Sequence, residues 1–246
     1  MPRLLIINPN TTEAMTRKVG DAARAMLPGV AITEATGRFG SAYIASRASY
    51  AIAGHVALDC LAAHRAGCDA VLLACFGDPG IEALREVSPV PVIGLIDATI
   101  AEAGQGGRRF AIVTGGARWK PMLEEMIRAR RLESQLAAIR TVAPTGGDIA
   151  RDPEGSLAIL RDACRRSFEE DGAGAVILGG AGLIGIAHLL EADLGAPVIC
   201  SVAAGLRAAR QALTESRRAG EADILRVPVS GLSSALTALI DLRGHR

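Results

Sequence analysis

A chain of 246 residues with a formal net charge of +1 is long enough to bury a full core. Its Arg residues are spread without aromatic interleaving, which removes the electrostatic footprint that nucleic-acid binding needs. Hydrophobic residues make up 50% and aromatic ones only 3%, so the core is packed from Ala, Val, Leu and Ile. Buried parallel strands under Ala-rich helices have that composition, and it points to an α/β fold.

The chain opens on an apolar run, Arg3-Leu4-Leu5-Ile6-Ile7-Asn8, which reads as a first strand and ends in Asn8-Pro9-Asn10-Thr11-Thr12. It is too short for a secretion signal, and nowhere does the sequence reach the roughly 18 apolar residues of a membrane span. A cytoplasmic protein with no membrane partner is expected. Five cysteines without CxxC spacing then read as free thiols. Thr11 or Thr12 is placed to cap a helix carrying Glu13. An Ala-rich amphipathic stretch from Tyr50 to Ala66 leads to the strand Ala70–Cys75, and Val90-Pro91-Val92-Ile93-Gly94 closes the first half.

The pattern then repeats. Arg109–Thr114 echoes Arg3–Asn8, Gly172–Gly180 echoes Ala66–Cys75, and Ala196–Cys200 echoes Val90–Gly94, all at one offset to within a residue. Between them a helix is expected over Pro153–Glu170, with Asp152 before Pro153 at its first position. Each half therefore reads strand, helix, strand, helix, strand, and the crossing falls at Gln105-Gly106-Gly107. The expected architecture is two pseudo-symmetric α/β lobes, 1–104 and 105–200, each a parallel sheet flanked by helices. A segment 201–246 is expected to pack back on the first lobe.

In open parallel sheets, ligands bind beyond the carboxyl ends of the strands. A duplicated sheet sets two such edges across one cleft, with Cys75 and Gly180 as an equivalent pair. Four strand ends carry small or polar residues there: Asn8-Pro9-Asn10-Thr11, Cys75-Phe76-Gly77-Asp78, Thr114-Gly115-Gly116 and Gly179-Gly180-Ala181-Gly182. Amide N–H groups where a strand gives way to a helix would hold a carboxylate or an enolate. The same helix dipole would lower the Cys75 pKa and favour its thiolate. Cys60, Cys68, Cys164 and Cys200 read as inert core residues. His55, His64 and His245 carry no site, and Arg128–Arg131 and Arg217-Arg218 read as solvated helix faces. His188 follows the Gly-rich turn and is a candidate for the cleft, while Phe39, Tyr43, Phe76 and Trp119 are candidates for setting pocket size. Gly180-Ala181-Gly182-Leu183-Ile184-Gly185 matches the dinucleotide pattern G-x-G-x-x-G, but the next strand lacks an acidic residue and the motif is not in the first strand-helix unit, which argues against a nucleotide cofactor.

Ile7-Asn8-Pro9-Asn10-Thr11-Thr12, Leu73-Ala74-Cys75-Phe76-Gly77-Asp78-Pro79-Gly80 and Leu178-Gly179-Gly180-Ala181-Gly182 together resemble the aspartate/glutamate racemase superfamily, within it the hydantoin and allantoin racemase branch. The resemblance covers nearly the whole chain. It implies an isomerase with no cofactor and no metal, working as a homo-oligomer on a small carboxylate or cyclic imide, in which a cysteine from each lobe flanks the carbon acid. Cys75 matches the first cysteine. Asn10, Phe76, Gly77, Thr114, Ala181 and Gly182 match stretches that line the family's pocket, and Thr11 and Gly115 adjoin them. Gly180 stands where the second cysteine belongs. Glycine cannot donate a proton, which leaves His188, Thr145 or a water as local substitutes. The leading expectation is a racemase using Cys75. The alternatives are a single-cysteine lyase of the arylmalonate-decarboxylase kind or a hydrolase, and a non-catalytic binder of small carboxylates.

Overall fold

The computed structural model describes residues 1–215 and 227–241; His245 and the Arg217-Arg218 pair lie outside them. The first half alternates β1 (Arg3–Asn8), α1 (Glu13–Met26), β2 (Ala31–Thr36), α2 (Arg47–His64), β3 (Ala70–Leu73), α3 (Ile81–Val87), β4 (Val92–Gly94) and α4 (Leu95–Ala103). A 3-10 turn at Gln105–Gly107 leads into β5 (Phe110–Gly115), α5 (Trp119–Ala129), β6 (Leu136–Val142), α6 (Gly146–Arg151) and α7 (Pro153–Glu169). Then come β7 (Ala175–Gly179), a 3-10 turn at Ala181–Leu183, α8 (Ala187–Leu194), β8 (Val198–Cys200), α9 (Ser201–Glu215) and α10 (Ser234–Ile240).

The strands form two parallel sheets of identical order, β2-β1-β3-β4 and β6-β5-β7-β8. This is the α/β architecture expected, with one strand more per sheet. The additional strands, β2 and β6, are edge strands, bonded on one side only. Both are largely half-buried and mix polar with apolar residues, so neither carries the continuous apolar run that marks a central strand.

Side-chain alternation divides the core into layers. Leu4, Ile6, Ala70 and Leu72 of the first sheet and Phe110, Ile112, Ala175 and Ile177 of the second belong to one buried cluster, completed by residues of α1, α4, α5 and α9. The alternate residues Leu5, Ile7, Val71 and Leu73 pack outward on α2, α3 and α10. Ala111, Val113, Val176 and Leu178 pack outward on α6, α7 and α8. Helix α9 lies against α4, β3 and α1 as well as β8. It approaches so closely at Gly205 that a Cβ there would stand 2.5 Å from a Leu95 methyl.

Asp152 caps α7 as expected, accepting from Gly155 N–H with Pro153 in the first turn. Thr12 is the N-cap residue of α1, but its side chain makes no cap bond. Its hydroxyl instead donates to Ala42 O at 2.8 Å, tying the β2–α2 loop to the start of α1.

The loop after β3 is held against α2 by a contact between two glycines. Gly80 has φ +76°, and a Cβ on it would lie 2.9 Å from Gly54 Cα and 3.2 Å from Gly54 O. Backbone atoms cannot swing aside as a side chain can. Gly80→Ala is therefore expected to destabilise the protein by about 1–3 kcal/mol through left-handed strain and overpacking, read as a lower urea midpoint with an unchanged m-value.

Candidate active site between the two sheets

The carboxyl ends of β1, β3, β5 and β7 open on one cavity. The first sheet contributes Asn10, Ala74, Cys75 and Phe76, and the second contributes Thr114, Gly179, Gly180, Ala181 and Gly182. Cys75 and Gly180 thus share a single pocket. Met15 of α1, Tyr43 and Ile44 of the β2–α2 loop, Trp119 at the start of α5 and Gly146 at the start of α6 complete the wall.

Three of the expected site residues are not on that wall. Thr11 spends its backbone N–H on Ser41 O at 3.1 Å, bracing the loop that carries Tyr43. Gly77 has φ +126°, and its carbonyl accepts from Tyr50 Oη at 2.7 Å; a Cβ there would meet the Trp119 ring at 2.9 Å. Gly115 lies under the Pro144–Gly146 backbone, within 2.6 Å of where its Cβ would be. These glycines shape the cavity from behind.

The pocket-size candidates divide similarly. Tyr43, Phe76 and Trp119 line the cavity, whereas Phe39 is on the outside, edge-on to His55 at 5.0 Å between ring centroids. His188 faces a separate hollow between α8, α9 and α1. The Thr145 hydroxyl donates to Asp148 at 2.7 Å in the capping box of α6. Neither is among the cavity residues.

Cys75 departs from expectation in its electrostatics. No helix begins beside it: the residues after β3 form a turn, and α3 starts only at Ile81. With no helix starting directly after it, desolvation of the half-buried sulfur dominates and pushes the thiol well above its ordinary value, with the Asp78 charge adding to the effect. Asp78 anchors the turn. Its carboxylate accepts from Leu95 N–H at 2.7 Å and Ile96 N–H at 3.0 Å, joining the Cys75 loop to the first turn of α4. Burial, and then the neighbouring Asp97, raise the Asp78 pKa to about 7 against the pull of those two amides and of Arg130.

The other strands that end at the cavity, β1, β5 and β7, likewise lead into loops or a 3-10 turn rather than directly into α-helices, unlike β4 and β8, so the donors available to a ligand there are loop and turn amides. The backbone N–H groups of Phe76, Ala181 and Gly182 have no hydrogen-bond partner among the described residues, nor does the Asn10 side-chain Nδ2. Asn10 is oriented from behind by the fully buried Asn8, whose amide donates to Asn10 Oδ1 at 2.9 Å and to Thr16 Oγ1 at 3.0 Å. Opposite Cys75, Gly180 has φ +134° and ψ +138° and donates its N–H to the buried Ser201 hydroxyl at 3.2 Å. Among the described residues no Asp, Glu, Lys, Arg or His belongs to the wall itself, but an adjoining hollow shares Asn10, Met15 and Tyr43 with it and holds Lys18, whose ammonium donates to Gly182 O at 3.3 Å. Met15, Ile44 and Gly146 escaped the sequence reading because they belong to a helix, a loop and an edge-strand connection outside the repeated motifs.

Known proteins share this sequence pattern and fold. The family model for Asp/Glu/Hydantoin racemase matches residues 4–209. A hydantoin racemase of Pseudomonas sp. (strain NS671) is 37% identical over 83% of this chain and 83% of its own length. The hydantoin racemase of Paenarthrobacter aurescens is 33% identical over 92% of this chain and 97% of its own. The structure of an allantoin racemase from Klebsiella pneumoniae superposes with a TM-score of 0.87 at 32% identity, covering 96% of this chain and 99% of that one. With a family model spanning both sheets and relatives aligned over nearly all of their length, the chain belongs to the Asp/Glu/hydantoin racemase family.

Proposed function

We propose that this protein is a cofactor-independent racemase of a neutral cyclic carbon acid of the hydantoin or allantoin type, with Cys75 moving the proton at the stereocentre. The observation that carries the reading is the chemistry of the cavity: one thiol among free amide donors, in a wall without a charged residue. An amino-acid zwitterion or a dicarboxylate would bury ions there with no charged side chain on the wall itself, the Lys18 ammonium being already bonded to Gly182 O from the adjoining hollow, at a cost of several kcal/mol per uncompensated ion. A neutral imide ring buries only amide groups, which the wall can bond. The hydantoin racemases among its relatives support the same substrate class.

In this reading the sulfur removes the α-proton: the C–H bond breaks, an S–H bond forms, and the electron pair moves onto the adjacent carbonyl. The oxygen of the resulting enolate takes N–H bonds from Phe76, Ala181 or Gly182, or from Asn10 Nδ2. Such donors are fixed before reaction, so they stabilise developing charge without reorganisation.

Circular-dichroism decay of enantiopure 5-alkylhydantoins, allantoin, aspartate and glutamate tests the proposal. Decay is expected with a ring substrate and not with either amino acid. In Cys75→Ser the rate should fall by at least about a hundredfold, the usual size of an acid–base contribution. Unchanged decay in Cys75→Ser, or carbon dioxide release from disubstituted malonates in place of any inversion, would reject it.

The raised Cys75 pKa sets the pH dependence. Below its pKa the thiolate fraction grows tenfold per pH unit, so kcat/KM, corrected for uncatalysed racemisation, should climb with a slope near one from neutral pH to about pH 9. A plateau below about pH 8 would mean that the free thiol is more acidic than its burial dictates.

A further inference from the structure

Two-base inversion needs a proton donor on the side of the carbon away from Cys75, and Gly180 has none to give. The inference that follows rests on the racemase reading above. Of the cavity residues, Cys75, Tyr43, Thr114, Asn10 and Trp119 carry exchangeable side-chain protons. Amide and indole N–H groups do not release a proton to carbon near neutral pH. The Thr114 hydroxyl is committed to Gly179 O at 2.7 Å, and an aliphatic alcohol is in any case too weak an acid. Tyr43 remains.

Its placement suits the role. Tyr43 belongs to the first sheet's β2–α2 loop, which is pinned to the start of α1 by Thr11 N–H on Ser41 O and Thr12 Oγ1 on Ala42 O. Its phenol reaches across the cleft to the second half. There its Oη accepts from Gly146 N–H at 3.1 Å and donates toward Gly115 O at 3.4 Å. The hydroxyl is thus seated between the last residue of β5 and the first of α6, on the opposing sheet's side of the cavity from the strand that carries Cys75. The donated bond is long, so the proton is weakly held by its present acceptor. The accepted bond would persist on a phenolate and stabilise it. Burial raises the Tyr43 pKa, so the resting phenol is protonated, while the Gly146 N–H and the Trp119 side chain pull the other way.

We propose that Tyr43 is the second acid–base group of this enzyme, giving a proton to the enolate face opposite Cys75 in place of the missing cysteine. As Cys75 takes the α-proton, the enolate carbon forms a C–H bond to the Tyr43 proton, the O–H bond breaks, and the charge ends on the phenolate. Turnover of the opposite enantiomer runs the same steps backward, with the phenolate as base and the Cys75 thiol as acid. The pair carries one proton between its two bases, nothing is oxidised or reduced, and no co-reactant is needed.

The test follows the α-proton and the configuration separately. An enantiopure 5-alkylhydantoin is incubated in D2O with the full-length protein, deuterium entry is read by NMR, and inversion is read by chiral chromatography. Wild type should exchange and invert together. Tyr43→Phe keeps the ring and loses the hydroxyl: Cys75 should still exchange the proton within about tenfold of wild type and return it to the same face, while inversion falls by at least a hundredfold. Quenching of Trp119, the sole tryptophan, reports that the variant still binds the hydantoin.

Inversion by Tyr43→Phe within threefold of wild type would overturn the assignment, as would loss of exchange and inversion in equal measure. The latter would make Tyr43 a structural bridge between the halves. If Cys75→Ser abolishes exchange but wild type never inverts, the inference fails while the thiol's role as base survives. A wild type that neither exchanges nor inverts removes both.

Discussion

Everything at the site follows from one buried layer that the two sheets share. Because strand side chains alternate, Leu4, Ile6, Ala70 and Leu72 face the same interior as Phe110, Ile112, Ala175 and Ile177, with α1, α4, α5 and α9 filling the space between. Slipping either central strand by one residue would exchange its inner and outer sets, so the register is strongly determined. Once it is set, the carboxyl ends of β1, β3, β5 and β7 have no freedom to diverge. The cavity forms where the shared layer ends, and its floor is continuous with the core through Ala74, Phe76 and Trp119.

The same burial sets the electrostatics of the cavity. A wall with no charged side chain of its own disfavours ions, and its low local dielectric strengthens hydrogen bonds made inside it. It also opposes ionisation of the Cys75 thiol. Cys75 sits on a turn that runs to Ile81 before its own chain enters a helix, with the Asp78 carboxyl as its charged neighbour. Asp78, in turn, is held in a left-handed conformation at φ +52°, the kind of backbone strain that persists only where its surroundings enforce it. Its two amide bonds to α4 do so. The turn is therefore built to fix the sulfur's position, even at the expense of its acidity.

Much of the fold was legible because a duplicated chain announces its central strands twice. Arg3–Asn8 and Arg109–Thr114, or Ala70–Cys75 and Ala175–Gly180, are apolar runs at matching offsets, and both ended at the cavity. The edge strands β2 and β6 were illegible for the opposite reason, since Ala31–Thr36 and Leu136–Val142 are half-exposed and carry no continuous apolar signal. At the site, the strand-end residues Asn10, Cys75, Thr114 and Gly180–Gly182 could be found from position alone. Helix-terminus assistance to Cys75 could not, because a strand followed by Gly and Pro does not reveal how many residues the turn takes before a helix begins. Tyr43 could be suspected of touching the pocket, but its hydrogen bonds to Gly115 and Gly146 are contacts between halves, which no local pattern encodes.

The glycine at position 180 is more than a deleted side chain. Its backbone, at φ +134° and ψ +138°, occupies a region that L-residues avoid, and a Cβ there would lie 3.0 Å from the Leu183 Cδ1. Its amide is directed to Ser201, and Ala181 turns at once into a 3-10 segment that leaves two N–H groups without internal partners. A cysteine would have to draw this peptide back into the ordinary extended region, redirecting the amides that follow. The glycine at 180 and the free amides after it thus belong to one conformation: a loop without a side chain at this position offers backbone hydrogen bonding instead. A proton donor for that face, as proposed for Tyr43, would then come from outside the loop, on a side chain that the first half extends across the cleft.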